Sequence, residues 1–254
     1  AAGYGPLHLG TDIGVSVRLP ATWNGIFTLK PSLGRVPVDP PYFGRVVGPM
    51  TRTVADSALL MAELSKPDWR DHMSLPATTI DWSAGPLDPK GLEIGLHLDA
   101  GSGLPVDAEV RAAIEAAAKL FADAGAVVGP VVPFLSPEML HLQDLFWRVR
   151  SWVDFSGLSH ARQASVLPFI ADWCRGGADI SGATVIRAVN NYMAIRAAAT
   201  RATHDFDYVL SPVSPVPTYR AEWETPTNDV ERPLEHISFT MPYNMSEQPA
   251  ASIN

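Results

Sequence analysis

Hydrophobic and polar positions change period several times along this chain, and each change predicts an element. Residues 1–50 carry short apolar runs broken by glycine and proline, with no helical period, which predicts short strands and turns packed against a sheet. At Thr53 the pattern turns helical: Thr53 and Asp56 make a capping-box-like pair, and Val54, Ala58, Met61 and Ala62 fall on one face. Residues 66–91 are mostly polar with several prolines and predict a surface loop. Glu93-Ile94-Gly95-Leu96-His97-Leu98 alternates and predicts a strand. Asp107 then serves as an N-cap for a helix with Val110, Ile114, Ala117, Ala118 and Phe121 at helical spacing, and Gly125 ends it. Val127, Val128, Val131 and Val132 predict another strand, broken by Gly129-Pro130, so that strand, helix and strand form a βαβ unit.

Residues 136–176 are rich in large apolar side chains, among them Phe146, Trp147, Trp152 and Phe155, and predict mostly helix. Ser181 can cap a long helix whose apolar face holds Val185, Ala188, Val189, Tyr192, Ile195 and Ala199. Tyr208-Val209-Leu210 predicts a buried strand leading into the proline-rich loop Ser211–Pro215, and Thr240–Asn244 predicts a last loop. The class is α/β, and with neither an internal repeat nor a linker, residues 1–254 are expected to form a single domain.

Composition narrows the function. The chain has 254 residues, 46% hydrophobic and 18% charged, enough to bury a large core. A formal charge of -8 without any Lys/Arg block argues against nucleic acid as a partner. One cysteine, Cys174, excludes an internal disulfide and suits a reducing compartment. No apolar run is long enough to span a bilayer, and the start lacks a basic stretch followed by an apolar core. A cytoplasmic protein without membrane attachment is expected.

The candidate chemistry lies in Gly10-Thr11-Asp12-Ile13-Gly14-Val15-Ser16-Val17-Arg18-Leu19-Pro20-Ala21. Gly14 permits close backbone approach, and successive N–H groups in such a turn can hold an anion. A serine at the end of the turn then faces the point where a tetrahedral oxyanion would form, as acyl transfer requires. Asp12 and Arg18 bracket the serine and can brace the loop as an ion pair. Taken alone, a glycine–serine turn also occurs as an ordinary surface turn. The seven histidines show neither metal-ligand spacing nor a Ser/His/Asp arrangement. Trp147 and Trp152 are read as core in preference to a pocket wall, and Cys174 as a structural thiol in preference to a reactive one.

Three blocks in order resemble the amidase signature family of serine amidohydrolases: the run from Gly10, then Leu29-Lys30-Pro31-Ser32-Leu33-Gly34-Arg35, then Gly48-Pro49-Met50-Thr51-Arg52-Thr53-Val54-Ala55-Asp56. Pro242-Tyr243-Asn244-Met245-Ser246-Glu247-Gln248-Pro249-Ala250 resembles a later segment of the same family. The likeness is strong over 1–62, clear over 207–252 and weak between. It implies an amidase signature fold, with a mixed β-sheet core covered by α-helices. It also implies hydrolysis of a linear amide C–N bond through a serine acyl-enzyme, without metal or organic cofactor. The nucleophile falls on Ser16, and the oxyanion hole on the N–H groups of Ile13, Gly14, Val15 and Ser16. Asp12 and Arg18 match the polar pair that supports the loop. Tyr243 and Asn244 are pocket candidates for a small-molecule amide, and a homo-oligomer is compatible with the sequence.

Two departures qualify the expectation. Val15 stands where the family usually has glycine, and a β-branched residue disfavours positive φ. The family's catalytic lysine and its cis serine are expected upstream of Ala1, so that the chain is a fragment truncated at both ends and inactive alone; Lys30 and Lys66 are not their substitutes. A catalytically silent amidase-like scaffold is the alternative that Val15 favours. The A component of a glutamyl-tRNA amidotransferase, which needs partner subunits, is another, opposed by the weak middle third and the lack of a basic run.

Overall fold

A computed structural model describes residues 2–83, 85 and 87–254. In chain order the elements are β1 (Leu7–Asp12), α1 (Arg18–Trp23), β2 (Phe27–Lys30), β3 (Val46–Thr51), α2 (Val54–Leu64), β4 (Glu93–Leu96), α3 (Ala108–Asp123) and β5 (Val127–Pro130). There follow α4 (Pro137–Ser156), α5 (His160–Gln163), α6 (Pro168–Arg175), α7 (Gly182–Thr203), β6 (Tyr208–Leu210), a 3-10 turn (Glu235–Ile237), α8 (Pro242–Met245) and β7 (Ala250–Ser252).

The α/β class is realised as two sheets. A four-stranded antiparallel sheet runs β1-β3-β2-β7, and a three-stranded parallel sheet runs β5-β4-β6. β4, α3 and β5 form the expected βαβ unit. In the first sheet β1 pairs with β3 from Leu7↔Thr51 to Asp12↔Val46, so the ladder stops where the candidate loop starts. The main core lies between α4, α7 and the segment around α8, with Phe146 and Tyr192 edge to face at 5.4 Å.

Asp107 and Ser181 cap their helices as expected, and the structure adds a cap at Ser136. The Asp107 carboxylate accepts from Glu109 N–H, and the Ser136 and Ser181 hydroxyls accept from Met139 and Thr184 N–H. Gly125 follows α3 with φ +96, a conformation that glycine reaches without strain.

Several elements differ from the expectation. Residues 1–50 contain a helix, α1, that no periodicity announces; it spans six residues and is held by the tertiary contacts of Arg18 described below. Thr240–Asn244 is not a loop throughout, because α8 begins at Pro242, a residue suited to a first helical turn. β5 includes Gly129-Pro130 and excludes Val131 and Val132. It is an edge strand, where a missing N–H is tolerated. β6 is likewise an edge, so Tyr208 is exposed and not buried. The inner face of α2 is Ser57 and Met61, while Val54 and Ala62 are exposed. A hydrogen bond of 2.7 Å between the Ser57 and Thr51 hydroxyls turns that face toward β3.

Candidate active site

The site is built where β1 hands over to α1. Asp12 closes the strand and Arg18 opens the helix, leaving residues 13–17 to make the turn. Arg18 and Asp12 are almost completely buried and form a forked pair: Arg18 Nε donates to Asp12 Oδ2 at 2.9 Å and Nη2 donates to Oδ1 at 3.0 Å. Burial by itself would raise the Asp12 carboxyl, but the charge and hydrogen bonds of Arg18, with Val17 N–H and Asn244, outweigh it and hold the pKa below the usual carboxylate range.

Arg18 reaches further. Its Nη2 donates to Gly14 O at 2.9 Å and its Nη1 to Thr240 O at 2.8 Å. Asn244 Nδ2 donates to Asp12 O at 3.1 Å and to Gly44 O at 3.0 Å, while its Oδ1 accepts from Arg18. Ser252 Oγ donates to Arg18 O at 2.9 Å. The segments that meet the turn are thereby tied to Arg18, directly or through Asn244. Removing one partner of such a buried pair costs about 3–5 kcal/mol, because the other charge is left uncompensated.

Against this bound frame the turn itself is free. Val17 N–H donates to Asp12 Oδ2 at 3.3 Å and Leu19 N–H to Val15 O at 3.0 Å. Among the described residues, the N–H groups of Ile13, Gly14, Val15 and Ser16 have no protein acceptor. Main-chain donors in a partly buried loop are seldom left unpaired. Ser16 is exposed, and its hydroxyl has no side-chain partner among the described residues. Val15 does not occupy a positive φ, so its β-branched side chain fits the backbone found there, and it packs against the main core. Gly14 is required by space: a Cβ at that position would stand 2.9 Å from Trp147 Cη2 and 3.3 Å from Ile237 Cδ1.

Asp12, Arg18 and residues 13–16 are thus gathered in one place with Asn244, whose side chain is spent on bracing the loop. Tyr243 is buried beside His97, its hydroxyl 3.4 Å from Nδ1. Neither pocket candidate offers an open polar edge. Desolvation lowers the His97 pKa to about 4, and this ring stacks on Phe134 as part of the packing. Cys174 is buried, and burial pushes its thiol up, so it is not an activated nucleophile.

Trp147 is the neighbour that sequence reasoning places only in the core. It is indeed buried, and its ring edge also closes over Gly14. No local pattern signals this, since the contact joins α4 to the first turn. Lys30 is fully buried as well. Its amine donates to Pro31 O at 3.1 Å, and burial, then repulsion from Arg18, lowers its pKa to about 7. No hydrogen bond links it to Ser16 among the described residues.

Known proteins share this arrangement of chain. A family model described as Amidase matches residues 1–254. The acylamidase of Rhodococcus erythropolis is 29% identical over 264 residues, covering 100% of this chain and 55% of its own length. The A component of the glutamyl-tRNA(Gln) amidotransferase of Lactiplantibacillus plantarum is 26% identical over 294 residues, covering 100% of this chain and 57% of its own. The crystal structure of a bacterial aryl acylamidase of the amidase signature enzymes superposes with a TM-score of 0.84 at 27% identity, over 98% of this chain and 55% of that one. The chain therefore spans about half the length of the curated relatives it matches.

Proposed function

The chain belongs to the amidase family, and on that premise we propose that Ser16 is the nucleophile of an amide hydrolase acting on linear C–N bonds. Ser16 Oγ attacks the carbonyl carbon. The carbonyl oxygen takes the negative charge and is received by the N–H groups of Ile13, Gly14, Val15 and Ser16. The hydroxyl proton passes to a base and from it to the leaving nitrogen, so the C–N bond breaks and an ester to Ser16 remains. Water then hydrolyses the ester and restores the hydroxyl.

Three of the chain's lysines are committed elsewhere. Lys30 is spent on Pro31, and Lys66 and Lys119 are paired with Glu63 and Asp123. The reading takes the base to be a lysine acting through a second serine, as in the family pattern, in sequence that the longer relatives possess and this chain does not span. The single observation that carries the proposal is an exposed hydroxyl next to four consecutive main-chain donors without acceptors, on a turn whose flanking polar pair is fully committed. Relief of unpaired donors by an oxyanion is what that arrangement rewards. Val15 does not favour a silent scaffold, since its backbone makes no demand for glycine.

The test is turnover of simple aliphatic and aryl amides by the full-length protein. Ser16→Ala should reduce hydrolysis by at least about 10³-fold while the unfolding midpoint stays put. Comparable turnover by the variant would reject Ser16.

A further inference from the structure

Two arginines converge on one tyrosine beside the same turn. The guanidinium carbons of Arg45 and Arg150 lie 5.1 Å and 4.8 Å from the centre of the Tyr42 ring, which itself stacks on Phe43 at 4.8 Å. Both arginines are half-buried, and among the described residues neither has a carboxylate partner. Arg150 stands instead against the neutral Tyr42 phenol, whose pKa burial raises against the opposing charge and hydrogen bond of Arg150. Arg148, two residues away, shows the contrast: it is paired with Asp144 at 2.7 Å. Asp154, one helical turn beyond Arg150, acts on the Tyr42 phenol but is paired with neither arginine.

Their position follows from the pairing already described. Asp12↔Val46 is the last rung of the β1–β3 ladder, so Arg45 immediately precedes the strand end that pairs with the start of the turn. A Cβ on Gly44 would lie 3.8 Å from Ile13 Cγ1, and Asn244 ties Gly44 O to Asp12 O. On α4, Trp147 touches Gly14, and Arg150 follows three residues later on the same face. The segment before β3 and helix α4 therefore each bring an arginine, without an ion-pair partner among the described residues, toward the turn that holds residues 13–16. In a chain of net charge -8, half-buried guanidiniums left without an acid ask for an anion from elsewhere. A guanidinium presents forked donors that fit a planar carboxylate, and the Tyr42 and Phe43 rings offer an apolar wall beside it.

We propose that Arg45 and Arg150 form a carboxylate subsite next to the candidate loop, so that the substrate is an amide carrying a second, anionic end. This rests on the acyl-transfer reading of Ser16 for its chemistry, and on the arginines alone for binding. The probe pair is hexanoate and hexanamide, titrated calorimetrically into the full-length protein. Hexanoate should bind at least tenfold more tightly than hexanamide. The double variant R45Q/R150Q should lose that preference by at least tenfold with hexanamide unchanged, and R45K/R150K should regain part of it, which separates lost charge from lost fold. Equal binding of the two probes, no binding of hexanoate, or a preference retained in R45Q/R150Q overturns the subsite. Turnover by Ser16→Ala would reject the nucleophile and leave these titrations standing, so the two readings fail separately.

Discussion

Lys30 closes β2 with its amine enclosed by protein and, among the described residues, only one carbonyl to receive its three donors. Asp12 and Glu247 favour the ammonium, but burial and Arg18 oppose it more strongly, and the pKa falls to about 7. In the unfolded chain the same amine holds its proton to about 10.4. Between those values the unfolded state binds more protons than the folded one, so stability must rise with pH. Urea unfolding should therefore show wild-type stability increasing from pH 7 to pH 9.5. Lys30→Met, which keeps the buried stem and removes the charge, should be more stable at pH 7 and nearly flat across the same range. A rise of equal size in both proteins would show that Lys30 is charged without cost. Such a residue is invisible to sequence reasoning: Leu29-Lys30-Pro31 reads as a motif, and only the enclosure of β2 by β3 and β7 shows that the charge has nowhere to go.

Among the elements, legibility tracks how local the causes are. The helices α3 and α7 are readable from their caps and their apolar spacing, because Asp107 and Ser181 act within one turn of themselves, while α4 is readable from its bulky apolar residues. α1 and α8 are not readable. Each is short, and α1 holds its place through Arg18, whose partners include Thr240 and Ser252 from the far end of the chain. The serine, the polar pair and the glycine before Val15 can all be read in the turn itself. The reason for that glycine cannot, since it comes from α4. Gly14→Ala should force Trp147 and Ile237 apart, destabilising the fold by about 1–3 kcal/mol, and it should displace the donors enough to cost about 10² in turnover. Adding Trp147→Phe should recover part of both losses, measured by denaturant unfolding and amide hydrolysis. Full activity in Gly14→Ala alone would mean that the close approach of Trp147 has no bearing on the site.

At the scale of the whole molecule, the two stretches that resemble the family most, near the beginning and the end of the chain, are the two that meet. Thr240, Asn244 and Ser252 close on Asp12 and Arg18, and β7 pairs with β2. The middle of the chain supplies α4 and α7, which form the wall behind the turn and the arginine beside it. On the proposed reading, this division explains why the candidate turn is legible in the sequence and the surfaces around it are not. On that same reading, the frame for the reacting atoms comes from the two ends of the chain, and the surface beside it comes from Tyr42 and Arg45 together with Arg150 of α4. No helix among the described residues is long and apolar enough to cross a membrane. The central claim is that the Ser16 hydroxyl is a nucleophile served by the donors of its own turn. The most direct test is to treat the full-length protein with a fluorophosphonate and map the adduct by peptide mass spectrometry. The account predicts one stoichiometric phosphonyl group on Ser16 and none on Ser16→Ala, whereas an unmodified Ser16, or a label on another serine, would contradict it.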